Sequence, residues 1–201
     1  MTVDRLEFHF DGGATWLNLL ATRGQSFGAH PVERLTSPGR LAEWLDRCEL
    51  TPVRPPTPAD LERARELRES LRGLALAAVA ATPPPAALVA AASASAAGAE
   101  RLVVRGDGGG PLRREPPVDT EAALARIARQ ALEQLTGPEL HQLVSCAEQD
   151  CRWVFLDPTG RRRWCPSPSC ASRGRVRALR ARRRAASGPN GPGADPLSES
   201  R

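Results

Sequence analysis

The sequence predicts an α+β chain: a mixed N-terminal domain over residues 1–137, a small module of β-hairpin plus basic helix over 138–186, and a disordered tail over 187–201. Three observations carry this. Apolar residues recur at helical spacing in two long runs, while shorter runs alternate with polar residues as strands do. Prolines and glycines cluster around 51–58, 82–85, 106–117 and 187–196, where they separate those runs as linkers and loops. Four of the five cysteines fall between residues 146 and 170, beside the densest run of arginine.

Taken in order, Leu6, Phe8 and Phe10 alternate with Glu7 and His9, which predicts a strand entering a turn at Asp11-Gly12-Gly13. Trp16–Ala21 follows as a strand or short helix. Ser37 and Pro38 suit the N-cap and first position of a helix that presents Leu41, Trp44 and Leu45 on one face. Thr57-Pro58-Ala59-Asp60 opens a long helix in the same way, with Leu61, Leu67, Leu71 and Leu74 as its apolar stripe. Leu88–Ala97, rich in Ala and Ser, is expected as another helix. Leu102–Val104 and Leu112 then bracket a glycine-rich turn and read as a hairpin. The Gly-Asp-Gly-Gly-Gly stretch is no phosphate loop, because no Lys-Ser/Thr follows it and no helix opens there. Asp119 caps a helix carrying Leu124, Ile127, Leu132 and Leu135, and Gly137-Pro138 ends it.

A chain of 201 residues with 41% apolar content can bury one medium core and carry a small appendage. The N-terminus is acidic and lacks an apolar run of signal-peptide length, which argues against export. Residues 74–97 are broken by Pro83, Pro84 and Pro85, which argues against a membrane span. A cytoplasmic setting follows as the expectation, and there paired cysteines serve metals more often than disulfides. All 28 basic residues are arginine, so no single arginine is diagnostic. Their distribution is: residues 152–186 hold 11 arginines against one acid, Asp157, while the preceding 151 residues are slightly acidic. This asymmetry points to a polyanionic partner.

Cys146, Cys151, Cys165 and Cys170 form C-x4-C-x13-C-x4-C. Two short pairs on tight turns can supply the four sulfurs of a tetrahedral Zn2+ site without a large core. Arg152–Leu156 and Arg162–Trp164 are expected as the strands of a hairpin across Asp157–Gly160, which would bring the pairs together. The competing readings are unligated core thiols and a redox-active dithiol, for which the C-x4-C spacing is looser than that of thiol oxidoreductases. Four thiolates around one dication leave a local charge of −2, which Arg152 and Arg161–Arg163 could offset.

Beyond Cys170, Arg173, Arg177, Arg180 and Arg184 recur on one helical face, with Val176 and Leu179 placed to dock the helix on the hairpin. Like charges at this spacing repel unless a polyanion meets them, so Arg161, Arg162, Arg163 and these four are the candidate nucleic-acid contacts. The alternative is a solvated charged helix. His9, His30 and His141 share no ligand or nucleophile–base spacing, and Cys48 beside Trp44 and Leu45 reads as a small core hydrophobe. There is no catalytic motif.

Cys146-x4-Cys151-x-Trp153-x-Phe155, Arg162-Arg163-Trp164-Cys165 and Cys170-x-x-Arg173 resemble the CGNR zinc finger. Gly12-Gly13, Glu33-Arg34-Leu35-Thr36-Ser37-Pro38 and Leu41-x-x-Trp44-Leu45 resemble the ABATE domain that precedes that finger. The family's Cys-Gly-Asn-Arg appears here as Cys170-Ala171-Ser172-Arg173, and Ala21-Thr22 stands where it carries Asn-Thr. The resemblance implies a zinc-dependent, stress-linked transcription regulator whose finger binds DNA, answering to an unidentified effector. RNA binding or protein docking, with Trp153, Phe155 and Trp164 as contact surfaces, is one alternative function. A thiol-based redox sensor is another.

Overall fold

The computed structural model describes residues 6–98, 103–106 and 113–186. Its helices are α1 (Thr15–Ala21), α2 (Pro38–Arg47), α3 (Pro58–Val79), α4 (Ala86–Ala96), α5 (Thr120–Thr136) and α6 (Pro168–Ala186). Short antiparallel ladders join β1 (Arg23–Gly24) to β2 (Val32–Glu33), β3 (Val104–Arg105) to β4 (Arg113–Arg114), and β5 (Leu143–Ser145) to β6 (Val154–Leu156). The chain is α+β as expected. The glycine-rich turn between β3 and β4 and the tail from 187 onward lie outside the described residues.

The predicted caps are in place. Ser37 Oγ accepts from the Arg40 amide at 3.2 Å, and Asp119 Oδ1 from the Ala122 amide at 2.9 Å. Thr57 and Asp60 form a reciprocal capping box, in which the Asp60 amide donates to Thr57 Oγ1 (3.3 Å) and the Thr57 amide to Asp60 Oδ2 (2.7 Å). Helix α3 is the central element, packed by α1, α2, α4 and α5. Helix α4 has no apolar stripe and approaches through small residues: a Cβ at Gly73 would meet Leu88 Cδ1 at 2.3 Å. Trp16 is fully buried and held at both its backbone and indole nitrogens by Gln130 and Gln134 of α5.

The expected strand at Leu6–Phe10 does not form. Among the described residues no neighbouring strand supplies a ladder, and arginines from the next segments take its carbonyls instead. Arg34 Nε donates to the Glu7 carbonyl (2.6 Å) and Arg40 to that of Leu6 (2.5 Å). Arg40 also stacks over Phe8 and Arg47 over Phe10, at 4.0 and 4.2 Å. Asp11–Gly13 is likewise no hairpin turn but the saddle on which β6 rests. The Leu156 amide donates to the Gly12 carbonyl at 2.9 Å. Gly13 has φ +94°, and a Cβ there would fall 2.6 Å from Leu156 Cβ, so both backbone and space require glycine.

The C-terminal hairpin thus shares one apolar core with the helices before it. Trp153, Val154 and Phe155 are buried among Trp16, Leu17, Leu71 and their neighbours. The Trp153 indole donates to the Leu17 carbonyl of α1 at 2.9 Å, a bond spanning 136 positions of sequence.

Candidate metal centre and basic helix

Strands β5 and β6 bring Cys146 and Cys151 together at the hairpin's end. The Cys146 amide donates to the Trp153 carbonyl (2.9 Å), and the amides of Cys151 and Arg152 both donate to that of Glu148. Arg152 takes a left-handed conformation, φ +46°, which closes the turn, and its guanidinium lies over Phe27. This pairing differs from the expected one. Arg162–Trp164 forms no strand, because Asp157 folds the chain away after β6. Its carboxylate accepts from the Thr159 amide and hydroxyl and from the Arg162 amide at 2.6 Å. The apolar Leu143–Ser145 pairs with β6 instead, and a backbone bond, Ala147 amide to Arg163 carbonyl at 3.0 Å, helps tie the second cysteine turn to the first.

The second pair begins where Trp164 meets α6. A Cβ at Gly174 would lie 2.4 Å from Trp164 Nε1, so the glycine inside an otherwise regular helix is where the indole packs flat on the backbone. The first turn of α6 then presents Cys170 toward Cys165.

The four sulfurs lie within 4.8 Å of one another and all four residues are buried. Cys151 and Cys165 are 4.0 Å apart at sulfur, close to the edge of about 3.8 Å that a tetrahedron with ~2.3 Å bonds to zinc requires. Hydrogen bonds from Cys151, Cys165 and Cys170 hold the Cys146 thiol far below its ordinary pKa, while Cys151 and Cys165 are driven up. Thiols this close must share protons or give them up to a metal, and the donor set is that of a closed structural site. The other cysteine is unlike them: burial raises the Cys48 thiol to about 12, as befits an inert core group. His141 bonds the Pro138 carbonyl at 2.7 Å and is exposed.

The predicted arginines divide into two sets. Arg173 and Arg177 turn inward onto two carboxylates that the sequence reading did not single out, Glu148 and Asp150, both inside the first cysteine loop. Arg177 lies 2.9 Å from Glu148 and 3.7 Å from Asp150, and Arg173 lies 3.7 and 3.8 Å from the same pair. Arg173 Nη2 also donates to Cys170 Sγ at 3.4 Å. Burial opposes its charge, but Cys170, Asp150 and Glu148 raise its pKa above the ordinary arginine value. The only sequence signal was the acidic filling of Cys146–Cys151, which is the place in the module where acids precede the basic run.

Arg161, Arg162, Arg163, Arg180 and Arg184 are exposed, as are Arg175 and Arg182. None of these seven has a carboxylate within ion-pairing distance among the described residues. The expected docking by Val176 and Leu179 does not occur: they are 44% and 49% exposed, and α6 is held by Trp164 on Gly174 and by the Glu148–Asp150 clamp. Beside the helix runs a groove of about 950 Å³ lined by Phe27, Trp164, Arg163, Arg175 and Arg182. Trp153 and Phe155, 5% and 0% exposed, are core residues and offer no stacking surface.

Fold and site together define a two-part protein: a helical domain sharing its core with a four-cysteine metal module. The comparisons assign it further. A family model described as "ABATE: Putative stress-induced transcription regulator" matches residues 13–138, and the CGNR zinc finger matches residues 142–183. The chain belongs to the ABATE family and carries the CGNR finger after it. No curated protein matches the chain. Among the described residues no helix is long and apolar enough to cross a membrane.

Proposed function

We propose that the protein is a zinc-dependent, DNA-binding transcription regulator of the cytoplasm, without catalytic activity. Cys146, Cys151, Cys165 and Cys170 hold the zinc, which supplies folding energy to the two cysteine turns it joins. One observation carries the DNA reading: Arg161–Arg163 and, on α6, Arg175, Arg180, Arg182 and Arg184 present guanidinium groups with no carboxylate within ion-pairing distance among the described residues. Such groups release counterions from a phosphate backbone, and a rigid helix is the shape a major groove admits. Arg180 and Arg184 remain contacts in this reading and Arg175 and Arg182 join them. Arg173 and Arg177 serve the metal module instead.

The test is binding to duplex DNA across a salt series. If about five phosphates are engaged, the logarithm of affinity falls against that of salt with a slope of roughly −4 to −5. Arg180→Ala with Arg184→Ala flattens the slope by about 2 and leaves the melting temperature unchanged. A salt-insensitive complex contradicts the reading. Preference for single-stranded RNA over duplex DNA would transfer the same surface to the RNA alternative, although of the three aromatics considered only Trp164 lies at a surface.

A further inference from the structure

Arg34, in the segment between β2 and α2, is 7% exposed, yet its partners are all neutral. Nε donates to the Glu7 carbonyl at 2.6 Å and Nη1 to the Ala21 carbonyl at 3.1 Å, while Nη2 lies 3.4 Å from His9 Nε2. Carbonyls orient a guanidinium but do not balance its charge, and a buried cation without a counter-ion is costly. The adjacent carboxylate is engaged elsewhere: both oxygens of Glu33 bind Arg68, at 2.7 and 2.6 Å. Among the described residues no carboxylate lies within ion-pairing distance of Arg34.

What faces it is the metal centre. Arg34 and His9 line a recess of about 60 Å³ together with Cys151, Cys165, Cys170 and Arg173. Three arginines line the recess with the sulfurs: Arg23 is paired with Glu69 at 3.5 Å and Arg173 with Glu148 and Asp150, which leaves Arg34 as the one without a carboxylate partner among the described residues. Four thiolates around a divalent ion carry a net charge of −2, which Arg34 offsets with its whole charge and Arg173 with the part it does not share with Glu148 and Asp150.

We infer that Arg34 is a positioning residue of the metal centre: with Arg173 it neutralises the tetrathiolate, so that the N-terminal domain sets how tightly the finger holds its metal. This rests on the zinc reading of the four cysteines and is independent of DNA binding. The absence of a carboxylate partner leaves the charge of Arg34 to the sulfurs, whereas Arg173 shares its own with Glu148 and Asp150.

The experiment measures zinc release from the full chain to a chromophoric chelator, after zinc content has been determined. Wild-type protein lacking stoichiometric zinc would sink the four-cysteine reading itself. Given zinc, Arg34→Met is expected to weaken retention by about 10- to 100-fold, as loss of outer-sphere partners does elsewhere. Arg68→Met, which removes an equally buried arginine of the same domain away from the sulfurs, is expected to release zinc at the wild-type rate when each protein is assayed equally far below its melting temperature. Arg34→Gln keeps a hydrogen-bonding side chain without the charge and is expected to release zinc as fast as Arg34→Met, within about threefold. Wild-type retention by Arg34→Met, or accelerated release by Arg68→Met equal to it, overturns the inference. Should Arg34→Met not fold, Arg34→Gln decides: release at least threefold faster than wild type supports the charge role, and release within threefold of wild type overturns it.

Discussion

Gly174 shows how a residue that weakens a helix in isolation can be required by it. Alanine is better than glycine in a helix interior by about 1 kcal/mol, so propensity alone predicts that Gly174→Ala stabilises α6. The Trp164 indole, 2.4 Å from the would-be Cβ, reverses the sign. The expected outcome is a loss of about 1–3 kcal/mol, the cost of overpacking, read as a lower melting temperature of the zinc-loaded chain. A gain would mean that the indole moves aside freely. The cysteine pattern was legible because ligands must recur at short, regular spacings. The Gly174–Trp164 contact was not, because it depends on how the two cysteine turns fold onto each other. Arg34 and Arg68 were hidden for a related reason: in a chain with no lysine, a buried arginine looks like any surface one.

Helix starts were the most readable elements, since a cap and its amide are three residues apart. The capping box of α3 gives a pH prediction. Burial alone would raise the Asp60 pKa, but hydrogen bonds from Thr57 and the charge of Arg63 hold it below 3.8. A depressed carboxylate contributes its stability fully above its unfolded pKa and loses it as pH falls through the lower folded one. Asp60→Asn should therefore be less stable than wild type at neutral pH, by about 1 kcal/mol, with the gap closing in strong acid. Parallel acid titrations of the two proteins check this, and a gap independent of pH refutes it. Helix α6 was only half readable. Its helical spacing was right but its docking face was not: Val176 and Leu179 are exposed, and Glu148 and Asp150 meet Arg173 and Arg177, two of the four α6 arginines assigned to phosphate. Glu148→Gln with Asp150→Asn would free both guanidinium groups. Affinity for DNA should rise and the salt slope steepen by up to about 2, while the module loses thermal stability. A slope that becomes shallower would show that the clamp orients α6 rather than occupying its charges. The expected hairpin failed because period-2 patterning names a strand without naming its partner, and Leu143–Ser145 competed better than Arg162-Arg163-Trp164 for a place over α3.

For the whole molecule, fold class and the order of its parts could be read from periodicity, but their union could not, since Trp153 reaching Leu17 is invisible to any local window. That union has a thermal signature. Chelating the zinc should lower the melting temperature of the entire chain in one cooperative transition, seen equally in the helical signal and in Trp fluorescence. Two separate transitions, with the helical domain unmoved, would show that the halves melt independently. Trp153→Ala should cost about 3–5 kcal/mol and disturb both halves at once. Because Gly12, Gly13 and Leu17 cradle the hairpin, the finger is not a cassette. Transplanted onto a foreign sensor, it would bring Trp153, Val154 and Phe155 as a bare greasy flank, and the donor it left would open a matching wound. Swapping specificities among such proteins would have to be done by repainting the arginines of α6 in place, leaving the seam beneath them intact.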